Sequence, residues 1–423
     1  MIFIIQSKDG YINNMKILFI AHYFQPEPNF FVGLPFAKEL AGKGHEVQVL
    51  TGFPNYPGGK IYDGYKVGPV FRETLDGIPV IRVPLYPSHD RSSIKRIFSY
   101  LSLSFSQATI GPFVVKNADV AYVSQGPASI GWPAIIHKLL RRIPFVYNIQ
   151  DLWPDSLLST GMFSNRIGLN MINAWCKLVY KSAAKITVIA PGMKETLINR
   201  GVPANKIDVI YNWCDDALIY RGDKNEQLSS SLGMANKFNI VFAGNIGKAQ
   251  AMGAVLEAAG LLASDCPDVQ FVLIGGGVEV EPLKQKSKDM GLSNVLFLAR
   301  RPISEIGPIL RLADILFVHL KDDPLFRITI PSKTQAYMAM GRPVLIGVKG
   351  DAANLVKKAN AGLSCEPENP ESIAETVRKF YKMSQAERDT MGANAIEFYE
   401  KELSFHIAVK KYESIFESIV KNN

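Results

Sequence analysis

The spacings that hold metals or redox centres are missing from this chain. Its four cysteines, Cys176, Cys214, Cys266 and Cys365, lie far apart with no C-x-x-C pair. That excludes a zinc ribbon or a dithiol motif and leaves reduced core or surface thiols. Asp-x-Asp does not occur; the adjacent acids Asp215–Asp216 and Asp322–Asp323 are weak substitutes. A carboxylate pair carrying a divalent ion on a diphosphate is therefore disfavoured. The loop after the first apolar run reads AHYFQPEP where a dinucleotide oxidoreductase would carry G-x-G-x-x-G, which argues against that class. Basic–aromatic interleaving is absent too, so nucleic acid is a poor partner. No apolar run approaches the roughly 20 residues that a membrane span needs.

What remains is the composition of a folded protein, 47% hydrophobic and 20% charged over 423 residues, a length that predicts two domains. Short apolar runs of the buried parallel-strand kind recur through the first half: KILFIA (16–21), EVQVLT (46–51), VAYVS (120–124), FVYNI (145–149) and ITVIA (186–190). A helix is expected over roughly 33–42, completing one βαβ unit. The rhythm restarts near residue 239 with NIVFAG, QFVLIG, NVLFLA, ILFVHL and RPVLIG. Two doubly wound, Rossmann-like parallel-sheet α/β domains facing a cleft are predicted, over 15–200 and 201–400. Residues 401–423 read as a C-terminal helix able to cross back to the first domain. Residues 1–14 read as an extension ahead of MKILFI, too short in its apolar part and lacking the basic flank of a signal sequence.

Charge is uneven. Residues 1–190 hold 19 Lys and Arg against 11 Asp and Glu, whereas the remainder balances at 28 against 28. A basic first half points to an anionic surface or substrate, such as anionic lipid or a lipid diphosphate. The segment 92–115 carries Ile94, Ile97, Phe98, Leu101, Phe105 and Ala108 along one helical face, with Lys95, Arg96, Ser99, Ser102 and Ser106 opposite. This stripe is expected either to pack on the core or to lie in a membrane interface.

Several stretches carry a family resemblance: HYFQPEPNF (22–30), GHEVQVLTGFPNYPGGKIYDGY (44–65), NIQDLWPDSLLSTGM (148–162), VIYNWCDD (209–216), FAGNIGKAQ (242–250) and HLKDDPLFRITIPSKTQAYMAMGRPVL (319–345). Together they resemble the retaining GT-B glycosyltransferases of family 4. The branch indicated is the one building bacterial O-antigen, capsule and exopolysaccharide, with the proposed N-acetylfucosaminyl transferases among its members. The resemblance implies a UDP-sugar donor held by the second domain and a polyprenyl-diphosphate-linked saccharide acceptor held by the first. It also implies no cofactor and no metal, and a cytoplasmic enzyme peripherally associated with the inner membrane. The rival readings are a nucleotide-sugar 2-epimerase of the same fold and a non-catalytic nucleotide-sugar-binding subunit.

Physically, the enzyme must stabilise charge developing on phosphate oxygens as the sugar leaves, and fixed donors can do this. Gly244 and Gly247 allow close backbone approach and Lys248 adds positive charge. The resemblance places Asn245, Lys248 and Gln250 at the diphosphate. Pro331, Ser332 and Lys333 open a helix whose dipole favours an anion; Ser332 and Gln335 read as an S-x-x-Q capping box. Arg300, beside Arg301 at a strand's carboxyl end, points to the ligand crevice. The resemblance puts Asp323 and Phe326 near the donor sugar.

On the acceptor side, Asp151 is expected to bind the attacking hydroxyl or shield the sugar cation, with Asp155, Glu27, Asn55 and Tyr56 nearby. Asp151 or Asp155 is alternatively a cap for the helix after Pro154. His22 and His319 read as structural. Two departures from the wider family stand out: Ala336 and Ile328 occupy the positions of its paired acids, and Asn29, Phe30 and Phe31 stand where paired glycines are frequent.

Overall fold

The computed structural model describes residues 14–28, 33–88, 93–159 and 165–422. The extension over 1–13, and Asn29, Phe30 and Phe31, lie outside the described residues, as does the side chain of Ile94. The chain divides into two compact units, residues 1–187 with 411–423, and residues 188–410; the sequence reading put the break near residue 200.

The first sheet is built from β1 (Lys16–Ala21), β2 (Glu46–Gly52), β3 (Phe71–Leu75), β4 (Ile78–Val83), β5 (Val120–Ser124), β6 (Phe145–Ile149), β7 (Lys185–Val188) and β8 (Ile207–Val209). Their order is β3-β4-β2-β1-β5-β6-β7-β8. β3 runs antiparallel to β4 and covers that edge. The hairpin turns at Asp76 and Gly77, both at positive φ (48° and 86°). That Asp-Gly pair is the short-range hairpin signal the sequence reading passed over. Strand order reverses at the β1–β5 pair, so the crevice of a doubly wound sheet opens at their carboxyl ends.

Residues 411–423 close this unit. The Tyr412 ring packs 5.2 Å from Phe36 and 5.2 Å from Tyr122, and its hydroxyl accepts from Asn148 Nδ2 at 2.9 Å. Beside it, His45 Nδ1 accepts from the Met15 amide (3.2 Å), so Nε2 donates to Glu413 (3.0 Å).

The helix Ser93–Thr109 turns over one of the two expectations. Its apolar stripe does not face the core: Ile97, Phe98, Leu101 and Phe105 are exposed, and of the stripe's described side chains only Ala108 is buried. The inward face is largely polar: Ser99, Ser104, Ser106 and Gln107 are buried beside Leu103. Gln107 Nε2 donates to the carbonyls of Ala21 (2.9 Å) and Leu50 (3.2 Å), and Ser104 Oγ donates to Ser129 Oγ (2.9 Å). Those carbonyls lie at the end of β1 and at the last β2 residue paired with it, where the β1–β2 ladder runs out and a side-chain donor substitutes.

The second sheet comprises β9 (Phe238–Asn245), β10 (Val269–Gly276), β11 (Val295–Ala299), β12 (Ile315–His319), β13 (Val344–Gly347) and β14 (Gly362–Ser364), in the order β11-β10-β9-β12-β13-β14. All its pairs are parallel. Near-continuous apolar strands suit a sheet covered on both faces; Phe242, Leu256, Phe271, Phe317 and Val377 form its core. The reversal here falls between β9 and β12.

Tyr412→Ala removes the ring at the centre of the first unit's aromatic cluster and one of the two acceptors of Asn148 Nδ2, the other being Thr187 Oγ1. We expect a loss of about 3–5 kcal/mol, read as faster hydrogen exchange in β5 and β6 of the full chain; unchanged protection contradicts the packing role.

Candidate functional site

The carboxyl ends of β9, β10 and β12 build a polar site within the second unit. β9 and β10 stay in register to their last residues, Gly275 opposite Gly244 and Gly276 opposite Asn245. A Cβ on Gly275, which sits at φ +155°, would lie 1.8 Å from the Gly244 carbonyl oxygen. One on Gly277, at φ +148°, would lie 2.2 Å from that of Ile246. Glycine is thus required for these two loops to cross at backbone distance. The pair is tied by Ile246 N donating to Gly276 O (2.9 Å) and Glu279 N donating to Ile246 O (3.1 Å).

Beyond Asn245 the chain makes a single 3-10 turn, Lys248–Gln250. Gln250 Oε1 accepts from Gly247 N at 3.0 Å, and Gln250 N donates to Gly247 O at 3.1 Å. Gln250 therefore shapes the turn, while Lys248 is left exposed at its tip. His319, at the end of β12, anchors the same turn. Glu368 N donates to its Nε2 (3.1 Å), so Nδ1 carries the proton and donates to Gln250 O (2.7 Å). Burial lowers its pKa further below the ordinary histidine value. A neutral, structural His319 is as expected.

Lys333 comes from the helix Ser332–Ala339. The capping box does not form: Pro331 holds the N-cap position at φ −57° and no side chain caps the helix. Proline's fixed φ supplies the entry geometry, which shifts Ser332 into the first turn with its hydroxyl exposed. The Gln335 amide instead lies 2.9 Å from the Pro331 carbonyl, to which it donates. Lys333 Nζ rests 3.5 Å from the centroid of the Phe242 ring, and a Cβ on Gly244 would come within 3.1 Å of it. Among the described residues no carboxylate pairs with it. Desolvation lowers its pKa from 10.5 to about 7, because burial penalises an ammonium that lacks a counter-ion.

Tyr337, absent from the sequence reading, locks this arrangement. Its buried hydroxyl accepts from Ala243 N (2.8 Å) and donates to Ala243 O (3.3 Å), pinning the helix one residue before Gly244. A tyrosine among the apolar positions of a helix was the available sign, but a hydroxyl's target is set by tertiary placement.

A cavity of about 450 Å³ continues from Gly244 and Asn245 past Gly275 and Gly276 to Arg300, Arg301, Ile303 and Ile306. The structure thus brings Gly244, Asn245 and Arg300 onto one cavity, with Lys333 against Gly244. Asp323 and Phe326 stand apart on the loop after β12. Asp323 caps the helix Pro324–Arg327 by accepting from Leu325 N (2.9 Å) and pairs with Lys321 (3.4 Å), so its carboxylate is engaged locally. Ile328 packs where a Cβ on Gly192 would meet it at 2.8 Å.

The first unit presents its own loops. Glu27 is 1% exposed, and its carboxylate accepts from the amides of Asn55 (2.7 Å), Tyr56 (2.8 Å) and Phe24 (3.2 Å). It organises the loops after β1 and β2, and Asn55 and Tyr56 reach it through their backbones. Burial still raises its pKa above the ordinary carboxylate value, against the pull of those hydrogen bonds. The Tyr56 ring packs against Tyr23, tilted by 38° with centroids 4.8 Å apart. Asp151 follows β6, and desolvation raises its carboxyl pKa. Asp155 opens the helix Asp155–Ser159, with Pro154 just before it. His22 is buried beside the Tyr23 and Tyr100 rings, and burial lowers its pKa to about 3.

Among the described residues, no group of three or more His, Cys, Asp or Glu is arranged to hold a metal ion, and no helix is long and apolar enough to cross a membrane.

Residues 34–213 match the Glycosyl transferase 4-like domain family, and residues 223–398 match the Glycosyl transferases group 1 family. The chain is similar to WcaI of Escherichia coli K12, a glycosyl transferase assigned to colanic acid biosynthesis. The two are 25% identical over 354 residues, spanning 80% of this chain and 85% of WcaI. In fold it is similar to HepE of Anabaena in complex with UDP (TM-score 0.68, 19% identity, 96% of this chain and 100% of that one). It is also similar to sucrose-phosphate synthase of Thermosynechococcus elongatus (TM-score 0.69, 15% identity, 96% and 100%). These neighbours share the GT-B architecture expected from sequence.

Tyr337→Phe leaves the buried Ala243 amide without its acceptor, at a cost of about 1–3 kcal/mol. The expected result is faster exchange of the Ala243 amide; unchanged exchange removes Tyr337 from the positioning of Lys333.

Proposed function

Two glycosyltransferase domains in tandem on a GT-B fold make this chain a glycosyltransferase, and from that premise we propose what it transfers. The donor is a UDP-sugar, the sugar an N-acetylated or deoxy hexose. The acceptor is a polyprenyl-diphosphate-linked saccharide of bacterial surface-polysaccharide synthesis, met at the inner membrane surface. The similarity to WcaI supports the polysaccharide setting, and the UDP in the HepE complex supports the donor class.

The observation that carries this reading is Lys333: an ammonium without a carboxylate partner among the described residues, set beside the glycine end of β9, where a ligand can reach the backbone. Such a group is costly in the empty site and favourable once an anion arrives. The diphosphate lies against Gly244, Asn245 and Gly247, with Lys333 and the helix start at Pro331–Ser332 on one side and Lys248 on the other. Arg300 and the cavity around it receive the nucleoside.

Transfer proceeds with retention by front-face displacement. The bond from the anomeric carbon to the diphosphate oxygen breaks and its electron pair goes to the phosphate. The acceptor oxygen adds on the same face, and its proton passes to the departing diphosphate. Lys333 and Lys248 take up the growing negative charge without a divalent ion. Asp151, with Asp155 and the Glu27–Asn55–Tyr56 loops, orients the acceptor hydroxyl.

Lys333→Ala is expected to lower sugar transfer by roughly 10²-fold or more while the fold persists, and EDTA is expected to leave wild-type turnover within twofold. Unchanged turnover in the variant, or EDTA inactivation reversed by magnesium, contradicts the assignment. The pH dependence has a definite sign. Lys333 loses its proton as pH rises through about 7, and the diphosphate favours the protonated form. UDP affinity measured by calorimetry should therefore fall from pH 7 to 9 in the wild type and stay flat in Lys333→Met.

A further inference from the structure

The first unit carries a groove of about 590 Å³ walled almost wholly by hydrocarbon and aromatic rings, among them Tyr100, Leu101, Trp132, Trp153, Met171 and Trp175. Three of the chain's four tryptophans line it. It lies between the helices Ser93–Thr109, Gly131–Arg141 and Arg166–Ser182. We infer that this groove holds the hydrocarbon chain of the prenyl-diphosphate-linked acceptor, an inference resting on the acceptor side of the reading above.

Three observations point to that occupant. First, these helices expose apolar side chains: Leu101 at 48% and Met171 at 69% in the groove wall, and Phe98 at 63% and Ile167 at 74% on the same helices. Such a patch on a soluble surface marks an apolar partner. In the helix Ser93–Thr109 the exposure is bought by turning serines and Gln107 inward, the reverse of a core-facing helix. Second, those three helices carry seven Lys or Arg and no Asp or Glu. Apolar helices whose only charges are positive complement an anionic lipid; a protein partner would more often meet charges of both signs. Third, the groove ends at the acceptor loops. Its wall residue Tyr100 stands 5.2 Å from the His22 ring, His22 stands 4.4 Å from Tyr23, and Tyr23 packs against Tyr56. Ala128 and Trp153, also in the wall, follow β5 and β6 at the same carboxyl edge of the sheet. A chain lying in the groove therefore delivers its head group to the loops held by Glu27.

The test uses the full chain and its own tryptophan emission, with geranylgeranyl phosphate, inorganic diphosphate and phosphatidylglycerol vesicles as probes. The inference expects a saturable change with geranylgeranyl phosphate and none with diphosphate. Leu101→Glu and Met171→Glu alter exposed positions (48% and 69%). Each should weaken the prenyl response at least tenfold while UDP affinity stays unchanged. No response to the prenyl probe overturns the inference, as does a response to vesicles alone, which makes the face a general membrane contact. Light scattering that shows a dimer broken by Met171→Glu overturns it in favour of a second copy. Prenyl binding without sugar transfer to any prenyl-linked acceptor leaves the groove standing and removes the transferase assignment of its acceptor.

Discussion

An ammonium group set against an aromatic ring and a glycine strand end, with no carboxylate beside it, is an arrangement that a fold keeps only under constraint. Lys333 occupies that position because the second unit fixes everything around it. Gly275 and Gly277 let β10 cross β9 at backbone contact, Tyr337 ties the helix of Lys333 to Ala243, and His319 ties the Lys248–Gln250 turn to β12. Each tie uses backbone amides and carbonyls that a parallel sheet leaves unpaired at its carboxyl edge. The result is a rigid concave surface with positive charge supplied in advance, which is how electrostatic preorganisation lowers the cost of charge developing on a leaving group.

The first unit solves a different problem with similar means. Glu27 is buried so that its carboxylate can gather the amides of two loops, making it an organiser of those loops and not an open contact. The neighbouring helix buries serines and Gln107 to satisfy strand-end carbonyls and turns its apolar stripe outward. Local hydrogen bonding and outward hydrophobicity are thus two faces of one placement. The basic, acid-free helices around the tryptophan-lined groove extend the same logic to the surface of the unit.

Much of this was legible in the sequence, for identifiable reasons. Every apolar run read as a buried strand is a strand of one of the two sheets, because strands buried on both faces leave an unbroken hydrophobic signature. Gly244 and Arg300 were read as ligand-facing from the strand–loop pattern and Asn245 from the family resemblance, and the three line one cavity. The β3–β4 hairpin escaped because its strands alternate around a short Asp-Gly turn and do not form apolar runs. The Ser332–Gln335 motif misled because the preceding proline takes over the cap. Periodicity identified the stripe on Ser93–Thr109 but cannot say which face meets the core when the polar face has carbonyls to satisfy. Tyr337 and the local engagement of Asp323 depend on contacts across the fold, which composition and spacing do not carry.

The central claim is that Lys333 is a cation held ready for a diphosphate. Its most direct test is the titration of the Lys333 ammonium itself, followed by NMR of lysine labelled at the ε-carbon, with Lys333→Met identifying the signal. The account predicts a midpoint near 7 in the free protein and a rise of at least one pH unit on saturation with UDP. A midpoint near the ordinary lysine value in the free protein, or one that UDP leaves unmoved, would contradict it.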